Sequence, residues 1–252
     1  MPVVFVHGVP ETQRVWRPVL ERINRNDAVA LSLPGFGAAL PPNFRATKEE
    51  YVAWLAAALE RLTPPIDLVG HDWGSLLVVR VASTRPDLIR SWAGGAAPVS
   101  SNYQWHSVAQ LWQTPGVGEQ VMAGANAAAA HKSLVEQGVP DALAAETASN
   151  MDPTMKDCIL RLYRSATDVF REWEPGLADI RSPGLVLWGE NDPFAGPEFA
   201  EQMGEQTRAR RVVRIKDCGH WWPCQKPDEV AAELLRHWRD VDGATSSLAA
   251  SR

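Results

Sequence analysis

Cysteine is scarce in this chain, with three residues in 252. That is too few for a disulfide-stapled extracellular scaffold and points to a reducing compartment. No apolar stretch reaches the length of a membrane span, and "MPVVFVHG" lacks the pattern of a signal peptide, so a soluble, cytoplasmic protein is expected. Lys and Arg are nowhere clustered, and the formal net charge is -5. Both features disfavour nucleic acid and anionic membrane as main partners and leave a small molecule. Tyrosine is as rare as cysteine, yet there are eleven tryptophans. Core packing accounts for most of these, and the remainder suit an apolar, aromatic pocket.

What the chain does have is alternation. Apolar residues make up 45% of it, enough for one large α/β domain with an insertion. The runs "VVFV", "AVALSL", "IDLVG", "SWAGG", "GLVLWG" and "RVVRIKD" read as six short strands, mostly separated by helical segments such as "KEEYVAWLAAALERL". The expected fold class is α/β, a mainly parallel sheet with helices on both faces. From about 98 to 180 only helical spacing is found, in "SVAQLWQ", "QVMAGANAAAAHKSLVEQG", "PDALAAETASN" and "PTMKDCILRLYRSATDVFREW". The expectation is a core in two pieces, 1–97 and 181–252, with a helical cap between them and a disordered tail from about 242. Cys218, His220 and Cys224 fit no tetrahedral metal spacing, and no metal or cofactor is expected.

The stretch "LVGHDWGSLL", residues 68 to 77, joins a strand to a helix through a turn with Asp72 at its centre. Gly70 and Gly74 supply the room such a turn needs, as in the G-x-S-x-G elbow that presents a nucleophile above a sheet. An isolated Asp there is ordinarily an N-cap. Three further features at strand ends argue for more. "HGVPETQRVW" can aim the N–H of Val9 at the elbow, where the N–H of Trp73 also points, making an oxyanion hole. Asp192 follows the strand "GLVLWG", and His220 follows "RVVRIKD". The order nucleophile, acid, base is Asp72, Asp192, His220.

The residues "HGVPET", "LPGFG", "GHDWGS", "WGENDPF" and "CGHWW" resemble those of the Asp-nucleophile α/β-hydrolases, the epoxide hydrolases and haloalkane dehalogenases. The resemblance covers nearly the whole chain outside the cap. It implies the α/β-hydrolase fold with Asp72 as nucleophile, His220 as base and Asp192 as its orienting acid. A carboxylate attacking an sp³ carbon makes an alkyl ester that water can cleave, whereas serine would make an inert ether.

The two reactions differ in how the leaving atom is held. An epoxide oxygen needs a proton donor, commonly a pair of cap tyrosines, and "LRLYRSATDVFREW" resembles the segment that supplies one, here Tyr163. "QLWQTPGVGE" resembles the segment of the other, where Trp105, His106, Trp112 and, further upstream, Tyr103 are the candidates. A halide would use the indole of Trp73, but Val9 stands where many dehalogenases carry Asn. The reading is an epoxide hydrolase, with haloalkane dehalogenase as the alternative and a catalytically silent binding protein as the competing class. The complete set Asp72, Asp192 and His220 counts against the last. The expected pocket residues are His7, Tyr103, Trp105, His106, Trp112, Phe170 and Trp221. The expected partners are a small apolar or aromatic epoxide or haloalkane and water, with a homodimer left open.

Overall fold

A computed structural model of the protein describes residues 1–250, with side chains through 244. Six strands, β1 (Val3–Val6), β2 (Ala28–Leu31), β3 (Ile66–His71), β4 (Ile89–Gly95), β5 (Gly184–Gly189) and β6 (Arg211–Ile215), form one sheet in the order β2-β1-β3-β4-β5-β6. Every pairing is parallel. This is the α/β-hydrolase fold, and each of the six apolar runs has become a strand. β1, β3 and β5 are buried along their whole length because helices cover both faces. Their side chains alternate accordingly. Val4, Val6, Leu68, Val186 and Trp188 face one core, and Val3, Phe5, Val69, Leu185 and Leu187 face the other.

The first core is closed by α2 (Lys48–Glu60), α3 (Trp73–Thr84) and α10 (Glu198–Thr207). The second is closed by α1 (Arg17–Ile23), α11 (Trp222–Gln225) and α12 (Pro227–Ala250). No described helix is long and apolar enough to cross a membrane. The backbone of the tail expected to be disordered from about 242 continues α12 over its described residues, 242–250.

Between β4 and β5 the described chain forms no strand. It forms α4 (Ser107–Gln113), α5 (Val117–Gly124), α6 (Ala127–Glu136), α7 (Asp141–Ser149), α8 (Pro153–Arg164) and α9 (Val169–Trp173). Two of the four helical segments read from the sequence are each split. Asn126 accepts from Ala129 N–H (2.9 Å) and starts α6 afresh. Ser165, whose hydroxyl bonds back to Leu162 O (2.8 Å), ends α8 before α9 begins.

The insert has two parts. One packs α4, α5 and α8 together, with Ala109, Met122, Leu160 and Tyr163 joining the first core. The other is the α6–α7 hairpin, which rests on a small cluster of Leu134, Val139 and Ala144 with Trp221 and Cys224. Polar anchors fix this hairpin to the core. Glu146 pairs with Arg14 and Arg17, and Gln225 donates to Gln137 O (2.7 Å).

The order in which successive strands are added reverses between β1 and β3. The crevice beyond the ends of those two strands is where open α/β sheets place a ligand.

Candidate active site

The elbow after β3 holds Asp72 at φ 51°, ψ -124°, a conformation that costs a non-glycine residue roughly 1–3 kcal/mol. Close packing enforces it. A Cβ on Gly70 would meet the Gly74 backbone, and one on Gly74 would meet Val6 O. Asp72 N–H donates to Gly95 O on β4 (3.1 Å), tying the turn to the sheet. The side chain does not cap α3. Its Oδ1 instead accepts from Val9 N–H (2.8 Å), and the backbone N–H of Trp73 also favours the charged carboxylate. Gly8 permits this approach, since any Cβ there would strike the Asp72 carboxylate.

The loops after β5 and β6 bring Asp192 and His220 to the same place. Gly189 lets them close, because its Cβ would meet Gly219 O, and Asn191 N–H donates to Cys218 O (2.9 Å). Asp192 Oδ1 accepts from Phe194 N–H (2.9 Å) and Ala195 N–H (3.3 Å), while Oδ2 accepts from His220 Nδ1 (2.9 Å). That bond fixes the imidazole so that Nε2 faces Asp72, 3.8 Å from its Oδ2. Burial opposes charge on His220, but the Asp192, Asp72 and Glu11 carboxylates outweigh it and push its pKa up to about 9. Burial raises the pKa of Asp72, with the two histidines His220 and His71 working against it.

Beneath lies a pair the motif reading assigned no role. Glu11 and His71 are both fully buried, with His71 Nδ1 2.6 Å from Glu11 Oε1. His71 Nε2 donates to His220 O (2.9 Å), and Glu11 Oε2 accepts from Gly8 N–H (2.9 Å). Burial pushes the Glu11 pKa up, but His71 overcomes it and the net shift is downward. The pair thus clamps the Val9 loop and the His220 loop at once. Both residues lie inside the quoted motifs, but only burial and pairing reveal the contact. Phe194 also lies inside a quoted motif, and its ring packs edge-on against His220 at 4.8 Å.

A cavity of about 260 Å³ opens over Asp72 and His220. Val9, Tyr103, Trp105, His106, Trp112, Tyr163, Phe170 and Trp221 all border it, together with Leu134 and Gln137 of the hairpin. His7 does not. It is wholly buried under the floor, its Nε2 accepting from Leu33 N–H (3.0 Å) and its Nδ1 donating to Gly8 O (2.8 Å). With both ring nitrogens bound to backbone it shapes the loop and meets no ligand.

Trp73 is also fully buried. It stacks on Trp105 (5.8 Å) and meets Tyr163 edge-on (5.5 Å), where its Nε1–H makes no well-aligned hydrogen bond yet lies near enough to the phenol to favour its charged form. Burial and then the Asp72 charge hold the Tyr163 phenol well above its usual pKa, so it stays protonated. No group of three or more metal-ligating side chains occurs among the described residues.

The arrangement is a desolvated carboxylate with one oxygen in a backbone cradle and an imidazole base beside the other. An apolar chamber above carries a single buried phenol. A model of the alpha/beta hydrolase family matches residues 3–233. Among curated relatives, an (E)-2-((N-methylformamido)methylene)succinate hydrolase of Acinetobacter baylyi is 25% identical over 95% of this chain and 90% of its own. A haloalkane dehalogenase of Bradyrhizobium diazoefficiens is 23% identical over 98% and 90%. Epoxide hydrolase 3 of Xenopus tropicalis is 26% identical over 90% and 68%. The crystal structure of a haloalkane dehalogenase from Bradyrhizobium elkani superposes with a TM-score of 0.80 at 21% identity, covering 96% of this chain and 91% of that one.

Proposed function

Since the chain belongs to the alpha/beta hydrolase family, we propose that it opens an apolar or aromatic epoxide to a diol through a covalent ester on Asp72. The observation that carries this reading is Tyr163, a protonated phenol in the wall of the chamber that holds Asp72. An epoxide oxygen leaves poorly as a bare alkoxide, and a positioned phenol removes that difficulty. Relatives named for epoxide hydrolysis support the same branch.

Asp72 Oδ2, the oxygen turned towards His220, attacks a ring carbon. The C–O bond breaks, its electron pair goes to oxygen, and Tyr163 supplies the proton. The ester carbonyl is then Oδ1, already bonded to Val9 N–H at 2.8 Å. His220 Nε2 takes a proton from water, which attacks the ester carbon, and Val9 and Trp73 N–H hold the charge that develops on Oδ1. Losing one such donor typically costs about 2.7–4 kcal/mol. Collapse releases the diol and restores the carboxylate, and the proton on His220 returns to the tyrosinate. One water is consumed. A carboxylate nucleophile suits an sp³ carbon better than the acyl carbon of an amide.

One observation favours a second reading, haloalkane dehalogenation. The buried Trp73 Nε1–H, which makes no well-aligned hydrogen bond, is a weak donor of the kind a departing halide needs. The experiment is a parallel assay of the purified protein for diol from an aromatic epoxide and for bromide from a bromoalkane. Diol formation is expected. Bromide release without diol would establish the second reading in its place.

A further inference from the structure

His220 is held by more than its ring. The peptide between Cys218 and Gly219, immediately ahead of it, is gripped at both ends: its oxygen accepts from Asn191 N–H (2.9 Å), and its N–H donates to Gln225 Oε1 (2.7 Å). Asn191 belongs to the loop of Asp192. Gln225 belongs to α11, and the other end of its amide leaves the core altogether, Nε2 donating to Gln137 O of the α6–α7 hairpin (2.7 Å).

The bridge is specific at each end. The amide can face only one way, because the Cys218 thiol also donates to Oε1 (3.2 Å), burial having pushed its pKa up to about 12. A flip would set N–H against N–H and oxygen against oxygen. Gln137 is the C-cap of α6, so its carbonyl lies beyond the last helical bond and is free to accept. Room for the amide comes from Gly138, at φ 85°, where a Cβ would stand 2.6 Å from Gln225 Nε2. Gln137 also holds the other neighbour of the base. Its Oε1 accepts from Trp221 Nε1 (3.3 Å), and the Trp221 ring lies edge-on against His220 (5.1 Å). Residues 219 and 221 therefore both hang on residue 137, which borders the chamber.

We infer that Gln225 is a positioning residue for His220, tying the loop of the base to the cap hairpin so that Nε2 meets the water that cleaves the Asp72 ester. The role rests on the ester mechanism proposed above and is the same for an epoxide or a haloalkane. Ester formation uses no base and does not depend on it. To this tie Gln137 contributes a main-chain carbonyl, which any residue at that position would supply.

The experiment is a cycle of wild type, Gln225→Met, His220→Gln and the double variant, each mixed in excess with an aromatic epoxide or a bromoalkane and quenched for intact mass. The Asp72 ester is timed as it forms and as it decays. Gln225→Met should slow decay about tenfold to a hundredfold, the scale of a misplacement of about 1 Å, and leave formation within about threefold. In His220→Gln protein the same change should slow nothing further, because a residue that only positions the base has no effect once the base is gone. Gln225→Glu keeps an acceptor for Gly219 N–H but turns a carboxylate towards Gln137 O, and it too should slow decay. Glu146→Ala loosens the hairpin at its other anchor, on Arg14 and Arg17, and should alter neither step beyond about threefold. Unchanged decay in Gln225→Met or Gln225→Glu, slowing that extends to formation or persists in the His220→Gln background, or equal slowing by Glu146→Ala would overturn the role. If His220→Gln accumulates no ester from either substrate, the ester mechanism itself has failed before any Gln225 variant is compared, and this role goes with it.

Discussion

His220 Nε2 stands 3.8 Å from Asp72 Oδ2, too far for a hydrogen bond and near enough to serve the same carbon. In the proposed mechanism the base is therefore not spent on the nucleophile. Its other nitrogen is held by Asp192 at 2.9 Å, so Nε2 stays directed into the chamber.

Removing the base should separate the two half-reactions. His220→Gln is expected to form the ester on Asp72 and to hydrolyse it at least a hundredfold more slowly, the lower range for lost general-base help. Peptide mass mapping after incubation with substrate checks the site. An adduct on any other residue, together with wild-type turnover in Asp72→Ala, would sink the assignment.

Tyr163→Phe should cut diol formation about a hundredfold or more, through the alkylation step alone. Single-turnover kinetics distinguishes the steps. An unchanged alkylation rate removes the phenol from the mechanism and turns attention to Trp73.

The raised pKa of His220 carries a signed stability effect. The folded protein binds this proton more tightly than the unfolded chain, whose value is near 6.5. The contribution is therefore complete below pH 6.5 and is lost as pH rises through about 9. Urea unfolding of wild type and His220→Gln from pH 6 to 10 should show a difference that shrinks over that window. In the ester Asp72 has lost its charge, one of the groups that raise this pKa. The hydrolysis rate should thus rise with pH to a midpoint below 9.

Glu11→Ala leaves His71 buried without its counter-ion and frees Gly8 N–H. Breaking one side of a buried pair costs about 3–5 kcal/mol, and equilibrium unfolding should register a loss of that size. A loss below about 1 kcal/mol would mean that the pair contributes no net charge interaction.

Much of this site could be read from spacing because its key residues sit where strands end. A buried parallel strand announces itself as an apolar run, and the residue after it must lie at one edge of the sheet, which located Asp72, Asp192 and His220 relative to one another. Aromatic residues in the helical segments between "SWAGG" and "GLVLWG" had little choice but to face the same edge. Partnership is harder to read. His7 stands beside the first strand like a site residue, yet Leu33 N–H and Gly8 O claim both its nitrogens. Glu11 and His71 are 60 positions apart in sequence and form one clamp. Nor does helical spacing alone reveal a break such as the one at Asn126, where a side-chain cap outcompetes continuation of the helix.

The hairpin of α6 and α7 borders the chamber with Ala130, Ser133, Leu134 and Gln137, none of which is assigned a part in bond making or breaking. Every such part falls to the opposite wall and the floor. Inheritance can therefore treat the two walls separately: residues 127–149 can drift, or be exchanged as a cassette between the anchors at Gln225 and at Arg14 and Arg17, while the reaction is conserved. Substrate range is the trait that such an exchange would alter first.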